Sequence, residues 1–180
     1  MKVVAIVGMA GSGKSEVTRV FEEHGFKKVR FGDITDKELK KLGLERNEAS
    51  ERYVRQQLRR RHGMAAYAEL NLPRINTSLG SSHVVVDGLY SWEEYTLLKE
   101  YYGGDFTAVV IQASPATRYR RLASREVRPL TLEEAASRDR SEIENSNKGG
   151  PIAMADFAIV NEASLEEMER QTERVISALI

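Results

Sequence analysis

Residues 8–15 read Gly-Met-Ala-Gly-Ser-Gly-Lys-Ser, which satisfies the phosphate-loop pattern G-x-x-x-x-G-K-[ST]. The hydrophobic run Val-Val-Ala-Ile-Val at residues 3–7 precedes this motif, and an amphipathic helical pattern follows it over residues 14–23. A glycine-rich turn between a buried strand and a helix presents backbone N–H groups and the helix N-terminus to an anion. The stretch therefore predicts an α/β protein with a triphosphate site at this turn.

Four further β-branched runs follow along the chain, at residues 28–31, 83–86, 107–111 and 157–160. Beyond the first helix, helical patterns occupy residues 48–61, 65–72, 92–102 and 165–179. The apolar runs are continuous rather than alternating, which is typical of parallel strands covered by helices on both faces. The sequence predicts one P-loop NTPase domain over residues 1–180, with three α/β/α layers around a five-stranded parallel sheet.

The composition excludes several other classes of protein. The 27 basic and 27 acidic side chains cancel, so the chain has no overall field that would draw it to nucleic acid or to an anionic membrane. It contains no cysteine, which excludes disulfides and cysteine-based metal sites or nucleophiles. No run of about 18 apolar residues occurs. We expect neither a nucleic-acid nor a membrane partner, and cytoplasm is the simplest location.

The phosphate loop assigns a role to several of its residues. The backbone at Gly8, Gly11, Ser12 and Gly13 is expected to hold the α- and β-phosphates of a nucleotide. Lys14 should reach the β- and γ-phosphates, and the Ser15 hydroxyl should bind Mg²⁺.

Asp87 follows the buried run 83–86, at the carboxyl edge where open α/β sheets bind ligands. It is the natural second carboxylate on the metal side, acting through water. The alternative is a strand-ending aspartate in a turn with Gly88.

The chain resembles the nucleotide-kinase group of P-loop proteins at residues 8–15, at Val86-Asp87-Gly88 and in the arginine-rich segment after Ser114. Its second half is most similar to dephospho-CoA kinase, and the whole layout resembles archaeal-type relatives of dephospho-CoA kinase and adenylate kinase. The residues that carry the likeness in the second half are Ser114, Pro115, Arg118, Arg121, Leu122, Arg125, Leu130 to Ala135, Arg138 and Ala155 to Asn161.

This resemblance implies ATP and Mg²⁺ as cofactors, a helical acceptor-side insert over residues 34–80 and an arginine-rich lid over residues 118–150. It places Arg121 and Asn161 at the nucleotide, and Arg121, Arg125 and Arg128 as lid arginines that approach the triphosphate. Guanidinium groups can chelate phosphate oxygens and neutralise the charge that spreads during phosphoryl transfer. The alternative is a solvated helix face whose arginines form weak surface pairs.

Two features lie on the predicted acceptor side. Asp33 follows the second strand and corresponds to the place where relatives carry an acceptor-side acid, which could orient or deprotonate a hydroxyl. Alternatively it caps a helix that begins near Thr35. Arg52, Arg55 and Arg59 share one helix face by their spacing and could grip an anionic acceptor, or could simply be solvated.

Two departures from family patterns narrow the function. Residues 87–91 read Asp-Gly-Leu-Tyr-Ser where nucleoside-monophosphate kinases have D-G-F-P-R, so the arginine for an acceptor phosphate is missing. Asn147-Lys148 resembles a guanine-reading motif, but Gly150 stands where its aspartate would be, which disfavours a signalling GTPase. The sequence predicts a kinase for a small acceptor, nucleotide-like or dephospho-CoA-like. The alternative is a regulatory ATPase whose lid signals to a protein partner.

Overall fold

The five strands of the sheet are β1 (Val3–Val7), β2 (Lys27–Arg30), β3 (Val84–Asp87), β4 (Phe106–Gln112) and β5 (Phe157–Val160). All are parallel, in the order β2-β3-β1-β4-β5. The computed structural model describes residues 1–127 and 129–180, and the side chain of Glu48 also lies outside its description. The predicted five-stranded parallel sheet is confirmed, with strand ends within one residue of those expected.

Nine helices occur in the described residues: α1 (Lys14–Glu23), α2 (Asp33–Leu42), α3 (Glu48–His62), α4 (Ala66–Leu79), α5 (Trp92–Tyr102), α6 (Pro115–Ala123), α7 (Leu132–Glu144), α8 (Gly149–Ala153) and α9 (Leu165–Leu179). The sequence indicates α2 only as the helix near Thr35 that Asp33 would cap, and it does not predict α7 or the short α8. A capping box begins α7, because the side chains of Thr131 and Glu134 each accept a hydrogen bond from the other residue's backbone N–H.

Helix α4 continues through Pro73, although the sequence predicts that it ends at residue 72. Proline removes one backbone hydrogen bond and disfavours a helix interior. Ile75, two residues later, is nevertheless fully buried, and Asn71 and Tyr67 before the proline are also buried. Burial of this helix face outweighs the local cost of the proline.

The sheet is covered on both faces, so every residue of β1 is buried. Val4 and Ile6 pack against α1 and α9 on one face, whereas Val3, Ala5 and Val7 pack against the helices of the other face, α2 to α5 and α8. A third, small cluster joins Ala10 of the phosphate loop to α6 and α7. The segment between β4 and β5 therefore lies directly on the phosphate loop. Within residues 1–127 and 129–180, none of the helices combines the length and apolarity that a membrane span requires.

Thr35 and Tyr67 attach α2 to α4 through one buried hydrogen bond. The hydroxyl oxygens of the two residues lie 2.6 Å apart, and the side chains are 6% and 1% exposed. Tyr67→Phe leaves the Thr35 hydroxyl buried without this partner, so we expect the free energy of unfolding to fall by about 1–3 kcal/mol in urea titrations.

Tyr101→Phe is the matched control, because Tyr101 is 56% exposed and its hydroxyl accepts a bond from Asn76 at the surface. We expect a change within about 0.5 kcal/mol for this control. Equal losses in the two variants would contradict a role for the buried bond.

Candidate active site

The phosphate loop runs from β1 into α1 in a conformation that favours glycine. Gly8 has φ 145° and Gly13 has φ 102°, in the region that L side chains rarely adopt. A Cβ on Gly8 would lie 2.5 Å from the carbonyl oxygen of Ile111, and one on Gly13 would clash with the Asn161 amide nitrogen. The loop is therefore pressed against β4 and the segment after β5, and only glycine fits at these two contacts.

Side chains bind the carbonyl oxygens of the loop. The Nζ of Lys14 donates to the carbonyls of Gly8 and Met9, both at 2.9 Å. The Nδ2 of Asn161 donates to the carbonyl of Ser12 at 2.8 Å. These contacts hold the loop in its shape, and they place Asn161 at the loop.

Arg118 donates a hydrogen bond to a further carbonyl of the phosphate loop. Its side chain is 5% exposed and donates to the carbonyls of Ala10 and Ala113, each at 3.1 Å. It also makes a two-pronged ion pair with Asp139 of α7, at 2.8 and 2.6 Å, and the Tyr119 hydroxyl donates to the same carboxylate. Arg118 thus connects the loop, β4 and the predicted lid, so for this residue the solvated-face alternative is wrong.

Ser12 carries the observation that fits the loop to a phosphate. Its side chain is fully buried, and its Oγ has no hydrogen-bond partner within the described residues. Buried hydroxyls are normally paired, because leaving one unpaired costs free energy. A phosphate oxygen at this turn is the chemical group that would satisfy it.

Lys14 lies in a crowded electrostatic environment. Burial, and then the nearby charge of Lys148, lower the pKa of Lys14 to about 7, whereas the charges of Glu142 and Asp87 act in the opposite direction. The buried position and the second lysine both disfavour the charged form. A bound polyanion would reverse that balance and keep Lys14 protonated.

Asp87 and Ser15 lie where the sequence places them, at the carboxyl edge of the sheet. Asp87 is the last residue of β3 and pairs in register with Ile6 of β1, two residues before the loop begins. Its half-buried carboxylate makes no hydrogen bond or ion pair with the residues that the structure describes. Ser15 is exposed in the first turn of α1.

These oxygen donors fit Mg²⁺, which commonly binds through one or two protein groups together with phosphate oxygens and water. No group of three or more histidine, cysteine, aspartate or glutamate side chains is arranged as a metal site within the described part of the chain.

The lid arginines divide into different environments. Arg121 donates to the Oδ1 of Asn161 at 3.3 Å, and its buried Nη1 has no partner within the described residues. Arg125 is exposed, and burial of part of its side chain together with the charge of Arg138 lowers its pKa. Arg128 lies outside the described residues. The structure thus brings Arg121 to the loop, while Arg125 lies near a second lid arginine.

Asp33 is neither a free base nor a helix cap. It is the first residue of α2, whose N-cap is Gly32 with no side-chain capping bond, so the capping alternative is wrong. Its carboxylate accepts from Arg74 at 2.6 Å and from Arg30 at 3.1 Å. Burial alone would raise the pKa of Asp33, but hydrogen bonds from these two arginines hold it below its ordinary value. Such a carboxylate is suited to accept a hydrogen bond and is a weak base.

The three arginines that share a face of α3 are not equivalent. Arg52 is exposed, and Arg55 donates to Glu51 at 3.5 Å. Arg59 is half-buried, and its buried Nε has no hydrogen-bond partner within the described residues. Arg59 is therefore the arginine of this set that best fits an anionic ligand.

Sequence reasoning missed a buried carboxyl group beside this arginine. Glu94 is 0% exposed, its Oε2 accepts from the backbone N–H of Tyr90 at 2.7 Å, and its buried Oε1 is unpartnered within the described chain. Burial raises the pKa of Glu94 to about 8, although the Tyr90 bond and the charge of Arg59 oppose this. The pattern Ser-Trp-Glu-Glu at residues 91–94 signals a helix start, and Ser91 does cap α5, but it gives no sign of burial.

The ion pair of Glu142 and Lys148 was also missed. Lys148 Nζ lies 2.8 Å from Glu142 Oε2, and the lysine side chain is only 3% exposed. The sequence places Lys148 in a polar loop, where burial is not expected. A lysine in such a loop carries no pattern that would separate it from a solvated one.

Comparison with known proteins agrees with this architecture. A family model described as "AAA domain" matches residues 4–147. A UPF0200 protein from Thermococcus kodakarensis is 35% identical over 182 residues, covering 99% of this chain and 98% of that protein. A UPF0200 protein from Methanoculleus marisnigri is likewise 35% identical, covering 99% of this chain and 97% of its own length.

Solved structures show the same fold at low identity. A gluconokinase from Sinorhizobium meliloti matches with a TM-score of 0.62 at 15% identity, covering 99% of this chain and 93% of its own. A shikimate kinase from Bacteroides thetaiotaomicron gives 0.61 at 13%, covering 99% and 98%. A dephospho-CoA kinase from Campylobacter jejuni gives 0.55 at 17%, covering 99% and 97%. These matches confirm the predicted P-loop NTPase fold and its likeness to the small P-loop kinases.

Glu94 should make the stability of the protein depend on pH. Because its pKa is about 8 in the fold against an ordinary value of 4.5, the folded state binds more protons than the unfolded chain between these values. The free energy of unfolding then falls as the pH rises through this window. Glu94→Gln removes the titration, so we expect it to match the wild type near pH 5 and to exceed it by at least about 1 kcal/mol near pH 9.

Denaturant titrations at both pH values measure this difference. Glu144→Gln is the control, because Glu144 is 63% exposed and pairs only loosely with Arg140 at 3.9 Å. A Glu94→Gln variant that is less stable than the wild type near pH 9 would contradict the prediction that the ionised Glu94 carboxylate destabilises the fold.

Proposed function

This chain belongs to the AAA domain family and to the UPF0200 protein family, and on that premise we propose that it is a kinase. It would transfer the γ-phosphate of ATP, with Mg²⁺, to a small acceptor that is nucleotide-like or dephospho-CoA-like. The main support is that the intact phosphate loop has beside it Asp87, whose carboxylate is unpaired among the described residues, and a helical segment, α6 and α7, that packs on the loop. We assign residues 118–150 as the lid and residues 34–80 as the acceptor-side insert.

On the donor side, the loop backbone and Ser12 hold the phosphates. Lys14 exchanges its bonds to two loop carbonyls for the β- and γ-phosphate oxygens, as a mobile ammonium with three donors can do. Ser15 and Asp87 would hold Mg²⁺, the aspartate through water, as their position at the carboxyl edge supports. Bound Mg²⁺ supplies neutralisation of the charge on the β- and γ-phosphates.

The nucleoside is assigned to the β5 side of the loop. Asn161 is hydrogen-bonded to the loop. Beside it lies Arg121, whose Nη1 has no hydrogen-bond partner among the described residues. A cavity of about 380 Å³ opens at the carboxyl ends of β4 and β5, where Gly8, Arg118 and Ile152 also line it, although Arg121 and Asn161 do not. Guanidinium planes stack well on aromatic rings, so Arg121 is the residue we assign to the base.

The acceptor is assigned to the β2 side, where Asp33 and Arg59 lie. Asp33 would accept a hydrogen bond from the acceptor hydroxyl and orient it, because its lowered pKa makes it a poor proton acceptor. Arg59 would bind an anionic group of the acceptor through its unpartnered Nε. An acceptor hydroxyl such as that of dephospho-CoA is the first candidate, since the second half of the chain resembles that kinase.

The transfer itself needs little from a base. The hydroxyl oxygen bonds to the γ-phosphorus as the bond from that phosphorus to the β–γ bridging oxygen breaks, which leaves ADP. In a loose transition state the hydroxyl proton is lost late, to solvent or to the transferred phosphate. Lid closure, with Arg125 and Arg128 over the phosphates, would exclude the water that otherwise hydrolyses ATP.

One observation favours the alternative, a regulatory ATPase without a small acceptor. Arg30 and Arg74 already occupy the carboxylate of Asp33, so an acceptor hydroxyl must compete for its remaining lone pairs. In that function ATP would be hydrolysed slowly, and lid motion would signal to a protein partner. The cluster of Asp33, Arg30 and Arg74 would then have a structural role only.

An acceptor panel separates the two functions. ATP and Mg²⁺ are incubated with dephospho-CoA, nucleosides, nucleoside monophosphates or no acceptor, and phosphorylated products are identified by mass. We expect a new phosphorylated product. Its rate of formation should fall about 100-fold or more in Lys14→Ala, because the charge that stabilises the transferring phosphate is gone.

Lys41→Ala serves as the control, since Lys41 is 73% exposed and pairs only with Glu38 at 3.7 Å among the described residues. Slow ADP formation that ignores the whole panel would favour the regulatory ATPase. Wild-type turnover in Lys14→Ala would contradict the site assignment.

Arg125 offers a test of the lid. Arg125→Ala is expected to lower kcat about tenfold while changing ATP affinity less than about threefold, because lid contacts strengthen in the transition state. Steady-state rates and equilibrium binding measure the two quantities. Arg140→Ala, at a side chain 78% exposed on the same lid, should change neither. An unchanged kcat would assign Arg125 to the solvated surface.

A further inference from the structure

Lys148 is a buried lysine that the phosphate loop motif does not explain. It lies between α7 and α8, its Nζ is 2.8 Å from Glu142 Oε2, and its backbone N–H also donates to the Glu142 carbonyl at 3.2 Å. Its ammonium lies 5.7 Å above the ring of Tyr90. Lysines are almost never fully buried unless they are paired, and the pairing with Glu142 meets this condition. Burial of a charged pair is uncommon enough to suggest a role for it.

The segment around Lys148 is attached to the turn that follows Asp87. Asn147 Nδ2 donates to Glu93 Oε1 at 3.1 Å at the start of α5. The Tyr90 hydroxyl lies so close to Gly88 that a Cβ there would be 2.5 Å away. Gly88 directly follows Asp87, the carboxylate assigned to the metal side. The Tyr90 ring beneath the Lys148 ammonium therefore reaches the carboxyl edge of the sheet, where the proposed site lies.

The charges of this pair also act on the loop lysine. Lys148 lowers the pKa of Lys14 and Glu142 raises it, so both charges lie within electrostatic range of its ammonium. Burial alone would raise the pKa of Glu142, but the charge and hydrogen bond of Lys148, together with the charges of Arg138 and Lys14, hold it below its ordinary value. The Lys148–Glu142 pair, which lies against the Tyr90 ring beside Gly88, thus interacts electrostatically with the loop lysine.

Burying two like charges close together is costly unless anions compensate them. Glu142 compensates Lys148, whereas the direct partners of Lys14 among the described residues are carbonyl oxygens. A γ-phosphate brings further negative charge into the same space. An ammonium with three donors can turn from a carboxylate to a phosphate without movement of its backbone.

We propose that Lys148 is a second phosphate-binding lysine of this site, held by Glu142 in the free protein and transferred to the γ-phosphate when a triphosphate binds. The proposal rests on the proposed function, since it deepens the assignment of the donor site. Glu142 is then a competitor of the nucleotide for the same ammonium. Its effect on triphosphate binding is opposite in sign to that of Lys148, which a purely structural ion pair does not produce.

The test compares a non-hydrolysable ATP analogue with ADP, both with Mg²⁺, by calorimetric titration of the wild type, Lys148→Gln and Glu142→Gln. We expect Lys148→Gln to weaken the analogue about tenfold or more while ADP changes less than about twofold, because a lost charge-assisted bond affects only the γ-phosphate. We expect Glu142→Gln to strengthen analogue binding about threefold or more, since the competitor is gone.

Glu144→Gln should change neither affinity, because its carboxylate is 63% exposed on the same helix. Thermal unfolding of each free variant shows whether it is folded. If Lys148→Gln does not fold, Glu142→Gln decides alone, and an unchanged or lower analogue-to-ADP preference overturns the proposal. Lys148→Arg should restore part of the preference, because it restores the cation.

No acceptor is present in these titrations, so their result is independent of phosphoryl transfer. A wild type that binds the analogue more tightly than ADP but phosphorylates nothing in the acceptor panel would contradict the kinase and leave the role of Lys148 standing. Equal changes for the analogue and ADP in both variants would identify a structural ion pair and overturn the proposal. A wild type that binds neither nucleotide would overturn both.

Discussion

A phosphate loop can turn its backbone N–H groups toward an anion only if its carbonyl oxygens find partners elsewhere. Here side chains supply these partners: Lys14 binds two of the carbonyls, Arg118 a third and Asn161 a fourth. The last two donors lie 108 and 149 residues away from the atoms that they bind. The loop motif is local in sequence, but its shape depends on α6, β5 and the packing of the whole sheet. The anion site therefore exists only when the domain is folded.

The charges of the site are compensated internally. Over the chain as a whole acidic and basic groups cancel, and the same holds at short range, where Glu142 faces Lys148 and Asp33 faces Arg30 and Arg74. Paired in this way, Lys148 can be kept buried, and Arg30 and Arg74 half-buried, without the full cost of an isolated buried charge. On the proposed function, ligand binding in such a site would be an exchange of partners, from protein carboxylate to phosphate. It does not depend on a long-range field that collects anions.

The sequence predicted the strands to within one residue, because continuous β-branched runs record burial on both faces of a sheet. It indicated α2 only as an alternative, and it missed α7, whose buried residues Ala135 and Asp139 form no apolar stripe. It ended α4 too early at Pro73, where tertiary burial outweighs local propensity.

The loop residues were predictable because their spacing carries the chemistry. Arg118 was not, because helical spacing shows that Arg118, Arg121 and Arg125 share a face but not which of them is buried. The partners Asp139, Glu142 and Lys148 depend on how the lid packs on the loop, which no local pattern records.

Asp139 lies close to the middle of α7, a helix of 13 residues and about 20 Å. The buried bond to Arg118 attaches this point of the helix to the phosphate loop, because Arg118 also donates to the carbonyl of Ala10. Ala135, one turn earlier on the same helix, packs on Ala10 as well. The middle and the first half of α7 are thus joined to the same loop residue. A displacement of α7 would therefore be felt at the Ala10 carbonyl, so the segment between β4 and β5 and the phosphate loop are mechanically coupled.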